Sequence, residues 1–300
     1  MTSQGLRDFS WQISYGPNDD RLEGFYLPAL SRSVRFDRAT GFFSSAALAI
    51  AAAGVARLIQ NGGRMRLLCG AQLSREDVEA IKRGEELGKT VGERMVGCLA
   101  EPQDQSLRAR LEALAWMVAQ GTLEIRVVLP KGPDGHPLPA EQAREYYHPK
   151  EGVFEDAAGD RIAFSGSSNE SEAGWQWNYE VFAVYRSWDY SNAYLLGVVQ
   201  RFEALWQGRE KDWIALPIPE AARARLLRYT PDRAPTTDPL ERCVYPPPPR
   251  PLPPGEGELM GEGEGGGEEQ NERILFQFVR DAPFLAGAHR LGQATSTVRP

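Results

Sequence analysis

Hydrophobic positions in the first half of the chain alternate between short runs typical of strands and wider spacings typical of helices. Apolar runs predict three strands, at residues 34–39, 64–69 and 123–129. Between them, an Ala-rich helix is predicted from Ser44 or Ser45 to Asn61, a short capped helix over 74–84, and an amphipathic helix over 106–120. Strands separated by helices in this way pair in parallel, with the helices covering the sheet.

The pattern changes after residue 145, where extended segments follow one another without a helix between them. Gly159 and Asp160 mark a hairpin turn, and an apolar return strand runs from Ile162 to Gly166. A further strand is predicted over 179–185, and helices over 192–206 and within 217–229. Because hairpin strands are antiparallel, the predicted fold class is α/β, with a mixed sheet flanked by helices.

Composition divides the chain into unequal parts. Residues 1–31 are polar and irregular, while residues 231–270 are poor in apolar side chains and include a polyproline run followed by Gly and Glu. We therefore predict a domain over 1–230, a linker over 231–272, and the start of a further domain or a tail over 273–300.

Overall composition restricts the class of protein. An apolar content of 42% is enough for a full core. No segment has the run of about 20 apolar residues that spans a bilayer, and the first 20 residues do not resemble a signal peptide, so we expect a soluble, cytoplasmic protein. The widely spaced Cys69, Cys98 and Cys243 suggest neither disulfides nor a zinc site.

The net charge does not indicate which substrate the protein binds. It is −7, but residues 252–270 contain six Glu and no Lys or Arg, so the remainder is nearly neutral. A local basic cleft on such a body can still attract phosphate.

Candidate chemistry is concentrated between residues 148 and 180. His148 and Lys150 are two residues apart, and on a strand they would share one face. The hairpin brings the Gly-Ser-Ser-Asn turn at 166–169 back towards them, so Asn169 is predicted to lie near His148. Glu180 is a carboxylate in an otherwise mostly apolar strand and needs a partner there.

These residues resemble the signature of the phospholipase D superfamily, in which an HxK motif is followed by Gly-Ser and then Asn. The resemblance covers roughly residues 33–206. The usual motif has Asp where this chain has Glu155, followed by Asp156. The pattern is most similar to the branch that includes a metal-independent restriction endonuclease and the domains attached to bacterial anti-phage helicases, where a Glu on the strand after the Asn serves the His. Glu180 occupies the matching place.

The resemblance implies a phosphodiesterase that works through a covalent phosphohistidine and needs neither metal nor cofactor. His148 would attack phosphorus, Lys150 and Asn169 would hold the non-bridging oxygens, Ser167 would be a secondary donor, and Glu180 would orient the imidazole. Arg38 would touch phosphate from the segment that lines the cleft. Tyr146, Tyr147, Trp175 and Trp177 flank the motif and are candidates to stack on bases, or core residues.

A second His is needed to protonate the leaving oxygen, and the chain holds one motif only. His136 lacks a Lys two residues later and His289 lies beyond the predicted linker. The resemblance implies a homodimer that joins two His148 sites across a two-fold axis.

Three functions are compatible with these residues. The first is a nuclease module acting on DNA, associated with a helicase in anti-phage defence, although no GxxxxGK[ST] motif occurs in these 300 residues. The second is a phospholipase, which would normally show two motifs or a membrane-facing apolar loop. The third is a catalytically weak or inactive module that binds DNA or dimerises, and Glu155 in place of Asp gives it some weight.

Overall fold

The fold is taken from a computed structural model of the chain. It describes residues 5–238 except for positions 17, 42, 53, 100 and 103 and the stretches 144–146 and 167–180. All described residues belong to one compact unit. Within them, no helix has the length and apolar character needed to cross a membrane.

A single eight-stranded mixed sheet forms the centre of the unit. The strand order is β1-β7-β6-β5-β2-β3-β4-β8. The central strands β2, β3 and β4 are parallel, and every other pairing is antiparallel. The strands are β1 (Ser14–Tyr15), β2 (Arg35–Thr40), β3 (Arg64–Gly70), β4 (Leu123–Pro130), β5 (Glu151–Glu155), β6 (Arg161–Gly166), β7 (Phe182–Arg186) and β8 (Trp213–Pro217).

Eight described α-helices connect and cover the strands. They are α1 (Leu27–Arg32), α2 (Ser45–Ala51), α3 (Val55–Gln60), α4 (Arg75–Lys82), α5 (Leu87–Cys98), α6 (Gln105–Ala119), α7 (Asn192–Trp206) and α8 (Glu220–Leu227). A π-helical turn, Leu22–Tyr26, leads into α1, and short 3-10 turns occupy Leu6–Asp8 and Ala140–Gln142.

The core lies on both faces of the sheet. On one face, buried side chains of β2 to β7 pack against α1 to α6 and α8, and aromatic rings stack there, such as Phe36 on Phe154 with centroids 4.4 Å apart. On the other face, α7 inserts Leu195 and Val198 against β5 and β6, and Phe202 and Trp206 against β2 to β4. The sheet is therefore buried on both sides, as its long apolar runs require.

The α/β class and the mixed sheet predicted from the sequence are confirmed, as are the strands at β2, β3 and β4 and the helices at α4, α6 and α7. The single helix predicted up to Asn61 is wrong. The helix is interrupted before α3 by Gly54, which adopts a left-handed conformation with φ of 76°. Its N–H donates a hydrogen bond to the Asp238 carboxylate over 2.6 Å. The N-terminal region is also more ordered than predicted, because β1 and α1 belong to the core.

Candidate functional site

The sheet topology brings the ends of several strands to one edge. The parallel strands β2 and β3 finish at this edge, where Ala39 pairs with Glu151 at the start of β5. Ser165 at the end of β6 also pairs with Glu151, and Gly166 pairs with Phe182 at the start of β7. The segment before β5, the end of β6 and the beginning of β7 therefore meet at the carboxyl end of the parallel strands. Ligands of open α/β sheets commonly bind at this end.

His148 and Lys150 lie at this edge but not on a strand. Residues 147–150 carry no strand pairing, and β5 begins at Glu151, so the prediction that both side chains project from a strand is wrong. Pro149 lacks the N–H that a paired strand residue donates, which accounts for the late start of β5. His148 is exposed and Lys150 is half-buried, so both are placed where a solvent-borne phosphate can reach them.

Two glycines let the backbone of the parallel strands approach this segment closely. A Cβ on Gly41, directly after β2, would lie 3.1 Å from Cγ and Nε2 of His148 and nearer still to Cδ2. A Cβ on Gly70, at the end of β3, would lie 3.1 Å from the carbonyl oxygen of Tyr147 and nearer still to that of Gly41. The imidazole thus packs directly against the Gly41 backbone at the end of β2. The sequence reasoning missed this pair, although glycine at the carboxyl end of two consecutive strands is a readable signal.

Glu151 anchors the His148 segment on the α7 face of the sheet. Ser165 Oγ donates to Glu151 Oε1 over 2.9 Å, and the Arg201 guanidinium of α7 binds the same oxygen at 2.6 Å. Because these bonds join β5, β6 and α7, they fix the start of β5 directly after Lys150. No local sequence pattern predicts this pairing, because the partners of Glu151 are 14 and 50 residues away.

Arg38 lies under the same edge. It is 1% exposed, its Nη1 donates to the Glu151 carbonyl oxygen over 3.2 Å, and its guanidinium carbon is 4.8 Å from the centre of the Phe164 ring. Its positive charge is therefore held among the strands that end beside His148. Contact of Arg38 with a phosphate stays a prediction.

The other predicted site residues fall outside the described part of the chain. Ser167, Asn169 and Glu180 lie in the stretch 167–180, as do Trp175 and Trp177, and Tyr146 falls within 144–146. Their roles stay predictions. The structure does describe the strand ends on either side of the longer stretch, at Gly166 and Phe182, which pair with each other at the His148 edge.

Glu155 and Asp156 occupy the far end of the hairpin. Glu155 ends β5, and the carboxylate of Asp156 accepts hydrogen bonds from the backbone N–H groups of Leu6, Ala158 and Asp160 at 2.8 to 2.9 Å. Asp156 is 4% exposed. It shapes the β5–β6 turn and binds the N-terminal segment, so the interpretation of this pair as hairpin residues is confirmed.

A network of charged side chains lies between the sheet and α7. Arg66 on β3 binds Asp37 at 2.7 Å and Glu203 of α7 at 2.5 Å, and its guanidinium packs over the rings of Phe202 and Trp206. Burial alone would lower the pKa of Arg66, but the hydrogen bonds to the two carboxylates outweigh it and raise this pKa. The hydrogen bond from Arg66 lowers the pKa of Glu203. Arg66 and Glu203 are therefore charged at neutral pH, and their ion pair holds α7 to the sheet.

Among the described residues, no three His, Cys, Asp or Glu side chains come together in a way that suits a metal ion. The prediction that the chemistry needs no metal or cofactor stays a prediction.

Comparisons with known proteins give fold-level similarity only. No protein-family model and no curated protein matches the chain. Among solved structures, NucT from Helicobacter pylori is similar at 14% identity and a TM-score of 0.34, over 65% of this chain and 94% of that one. Phosphatidylserine synthase from Haemophilus influenzae Rd KW20 is similar at 13% identity and a TM-score of 0.39, over 72% of this chain and 44% of that one. Because both matches have identities below 25% and TM-scores below 0.5, they carry no argument about the superfamily, the activity or the substrate of this chain.

Proposed function

We propose that this chain is a phospholipase D-like phosphodiesterase that cleaves DNA as an endonuclease, without a metal ion, through a phosphohistidine intermediate. One observation carries the proposal. The exposed His148 lies against Gly41 at the edge where β2 ends, β5 starts and the Gly166 end of β6 pairs with the start of β7. The support for including Asn169 and Glu180 is that the described residues on either side of their stretch, Gly166 and Phe182, pair with each other at this edge.

The reaction runs in two displacements. In the first, a ring nitrogen of His148 attacks phosphorus, an N–P bond forms, and the P–O bond to the leaving strand breaks. Lys150 and Asn169 stabilise the charge on the non-bridging oxygens, with Ser167 as a secondary donor. Glu180 favours the charged imidazole that develops. In the second, water attacks phosphorus and the N–P bond breaks, which restores His148.

Both displacements need a proton relay, and a second copy of the chain supplies it. The imidazolium of the partner subunit's His148 gives its proton to the leaving oxygen in the first step. In its neutral form it takes a proton from the attacking water in the second, so the cycle closes. The support for this step is that each chain has one HxK motif and that His148 is exposed. The active species is then a homodimer with two-fold symmetry.

Incubation of the purified protein with end-labelled DNA in excess EDTA tests the activity. We expect cleavage by the native protein and none by His148→Ala, with strong losses for Lys150→Ala, Asn169→Ala and Glu180→Gln. Asp8→Ala is the matched control, because Asp8 is an exposed carboxylate that caps the first turn. Denaturation in phenol at alkaline pH preserves phosphohistidine, so labelled substrate should mark the native protein and not His148→Ala.

The outcomes separate the competing functions. Tight DNA binding without cleavage would overturn the enzymatic proposal in favour of a binding or dimerisation module. Faster hydrolysis of a phospholipid than of DNA would favour a phospholipase. Glu155 stands where the usual motif has Asp, which gave some weight to an inactive protein. The adjacent Asp156 reduces that weight, because it provides a buried carboxylate in the same hairpin.

We also propose that the domain serves a helicase-associated, anti-phage protein in the cytoplasm. The support is the resemblance stated from the sequence and the Pro, Gly and Glu-rich composition of residues 231–272. Co-purification of the native, full-length gene product with an ATP-dependent DNA-unwinding activity tests this role. Loss of phage resistance in cells that carry His148→Ala would link that role to cleavage.

A further inference from the structure

Exposed hydrophobic side chains are concentrated at the start of α7. Among the described residues, five large hydrophobic side chains are exposed, and three of them, Tyr190, Tyr194 and Leu196, lie on α7 or in the turn before it. Tyr194 is 66% exposed, and its ring stacks on that of Tyr185 from β7, with centroids 5.6 Å apart and 24° between the planes. Because Tyr185 covers one side only, the exposed side of the Tyr194 ring can take a further flat ring.

Arg201 lies on the same side of α7 as Tyr194. The seven positions from one to the other are about two helical turns, or about 10 Å along the axis. Glu151, which directly follows Lys150, holds the guanidinium through Nε at 3.4 Å and Nη2 at 2.6 Å. No described residue accepts a hydrogen bond from Nη1, and the side chain is 56% exposed. An arginine fixed on one side and open on the other can bind a phosphate beside Lys150.

The helix surface between these two side chains is bare, and it leads away from the site. Apart from the helix backbone, a Cβ on Gly197 would have a single described neighbour within 4 Å, Nη1 of Arg201 at 3.5 Å. At the other end, Tyr185 pairs with Ala163, which is two residues, or about 7 Å, further from the site than Ser165. The cation therefore lies next to the site, and the stacked rings lie further along the same path.

We propose that the stripe formed by Tyr185, Tyr194, Gly197 and Arg201 binds the single-stranded segment of DNA that continues from the phosphate at His148. The proposal rests on the proposed function, which places that phosphate. Arg201 binds a backbone phosphate next to the cleaved one, and a base stacks on the open side of Tyr194. Sites for single strands combine cations with aromatic rings in this way, whereas the bases of a duplex are already stacked on one another.

A second copy of this chain is the other occupant that an exposed hydrophobic surface could have. The arrangement of the side chains favours DNA. Tyr194 and Leu196 are two residues apart, which turns a helix by about 200°, so they flank the buried Leu195 on opposite sides of α7. The exposed hydrophobic side chains of α7 thus do not form one continuous patch, and the stripe pairs its rings with a cation.

Equilibrium binding to His148→Ala tests the stripe without cleavage. The probes are a labelled single strand of about 12 thymidines and the same strand without bases, and fluorescence anisotropy measures each Kd. We expect Tyr194→Leu, made in this background, to weaken binding of the strand with bases about tenfold, as for one stacked base, and to leave the strand without bases unchanged. Tyr194→Phe keeps the ring and should bind both strands as the parent protein does.

The dependence of binding on salt tests the phosphate contact. Arg201→Gln should weaken binding of both strands and reduce the slope of log K against log salt by about 0.7, the value for one phosphate of a single strand. Arg108→Gln is the matched control, because Arg108 is an exposed arginine that pairs with a carboxylate on α6, on the other face of the sheet. Leu196→Ala is the control for Tyr194. Neither control should change the affinity or the slope, and thermal unfolding verifies that each variant is folded.

Several results would overturn the proposal. They are the failure of either strand to bind, an equal effect of Tyr194→Leu on both strands, and an unchanged salt slope in Arg201→Gln. A change of mass in sedimentation velocity for both Tyr194→Leu and Leu196→Ala, with unchanged DNA affinity, would identify a surface for self-association instead.

Cleavage assays separate this proposal from the proposed activity. If the native protein cleaves no DNA but Tyr194→Leu shows the base-dependent loss of binding, the stripe binds single strands in a protein without nuclease activity. If the native protein cleaves single-stranded DNA and Tyr194→Leu does so with the same kcat/KM, the activity stands and the stripe is overturned.

Discussion

The side chain of Gly41 is a single hydrogen atom, and this allows the His148 ring to pack in its position. The His148 ring packs against the Gly41 Cα so closely that a methyl group would overlap the ring. Since His148 is exposed, its ring can swing away into solvent, and the overlap is relieved at little cost to folding. The substitution instead displaces the imidazole of His148 from its position in the native protein.

We therefore predict that Gly41→Ala lowers kcat/KM for DNA cleavage by about 10- to 100-fold, because a displacement of about 1 Å is enough for such a loss. The melting temperature should stay close to that of the native protein. Gly97→Ala is the matched control, since the space around this helical glycine is open and alanine favours a helix. Unchanged cleavage by Gly41→Ala would show that the contact with His148 has no bearing on activity.

Asp156 illustrates a residue whose motif-like position has a structural role. We predict that Asp156→Ala lowers the free energy of unfolding by about 2–4 kcal/mol, because the buried N–H of Leu6 and the part-buried N–H groups of Ala158 and Asp160 lose their acceptor. Urea unfolding measures the change. Asp156→Asn keeps one oxygen acceptor and should lose less, whereas Asp160→Ala removes the partly exposed pair with Arg7 and should cost below about 1 kcal/mol. Equal losses for Asp156→Ala and Asp160→Ala would contradict this role.

At the scale of elements, the local hydrophobic pattern predicted most of the sheet. It failed where contacts between distant residues determine where an element ends. β2, β3, β4 and α6 have strong periodicity and were predicted nearly to their ends. The break between α2 and α3 depends on Gly54 and on Asp238, which is 184 residues away, so no local pattern contains it. Within the site, the order of the hairpin was predictable, but the contact of His148 with Gly41 follows from strand pairing across the sheet.

The ion pairs under α7 make the attachment of this helix sensitive to acid. The pKa of Glu203 is lowered in the folded state by the hydrogen bond from Arg66. A carboxyl group with a depressed folded pKa stabilises the protein above its unfolded pKa, near 4.3, and this stability is lost as the pH falls through the folded value. At neutral pH the contribution is therefore fully present.

We predict that Glu203→Gln lowers the free energy of unfolding by about 1–2 kcal/mol at pH 7, since Glu203 is a partly buried partner of Arg66. Urea unfolding at pH 7 and pH 3 should show this difference shrinking on acidification. Glu112→Gln, which removes an exposed pair with Arg108, should cost only a few tenths of a kcal/mol at either pH. A Glu203→Gln difference that stays constant with pH would rule out the ionic origin.

At the scale of the whole molecule, one chain supplies a single HxK motif to a proposed reaction that uses two imidazoles. His148 is exposed at the sheet edge, and neither of the other two histidines occurs in an HxK motif. His136 lies beside Asp134 in the exposed loop after β4, and its backbone N–H donates to the Asp134 carboxylate over 3.1 Å. In the proposed mechanism, two chains therefore present their His148 side chains to one phosphate.

We predict that the active species is a homodimer and that specific activity falls as the protein is diluted below its dimerisation constant. Sedimentation velocity at the assay concentrations measures the mass. Heterodimers of native and His148→Ala chains, isolated with two different affinity tags, should have less than about one hundredth of the native activity, because each phosphate needs both imidazoles. The matched control is a native–native dimer that carries the same two tags. A strictly monomeric active protein, or heterodimers with half the native activity, would mean that each chain works alone and that its proton donor must be sought among its own residues.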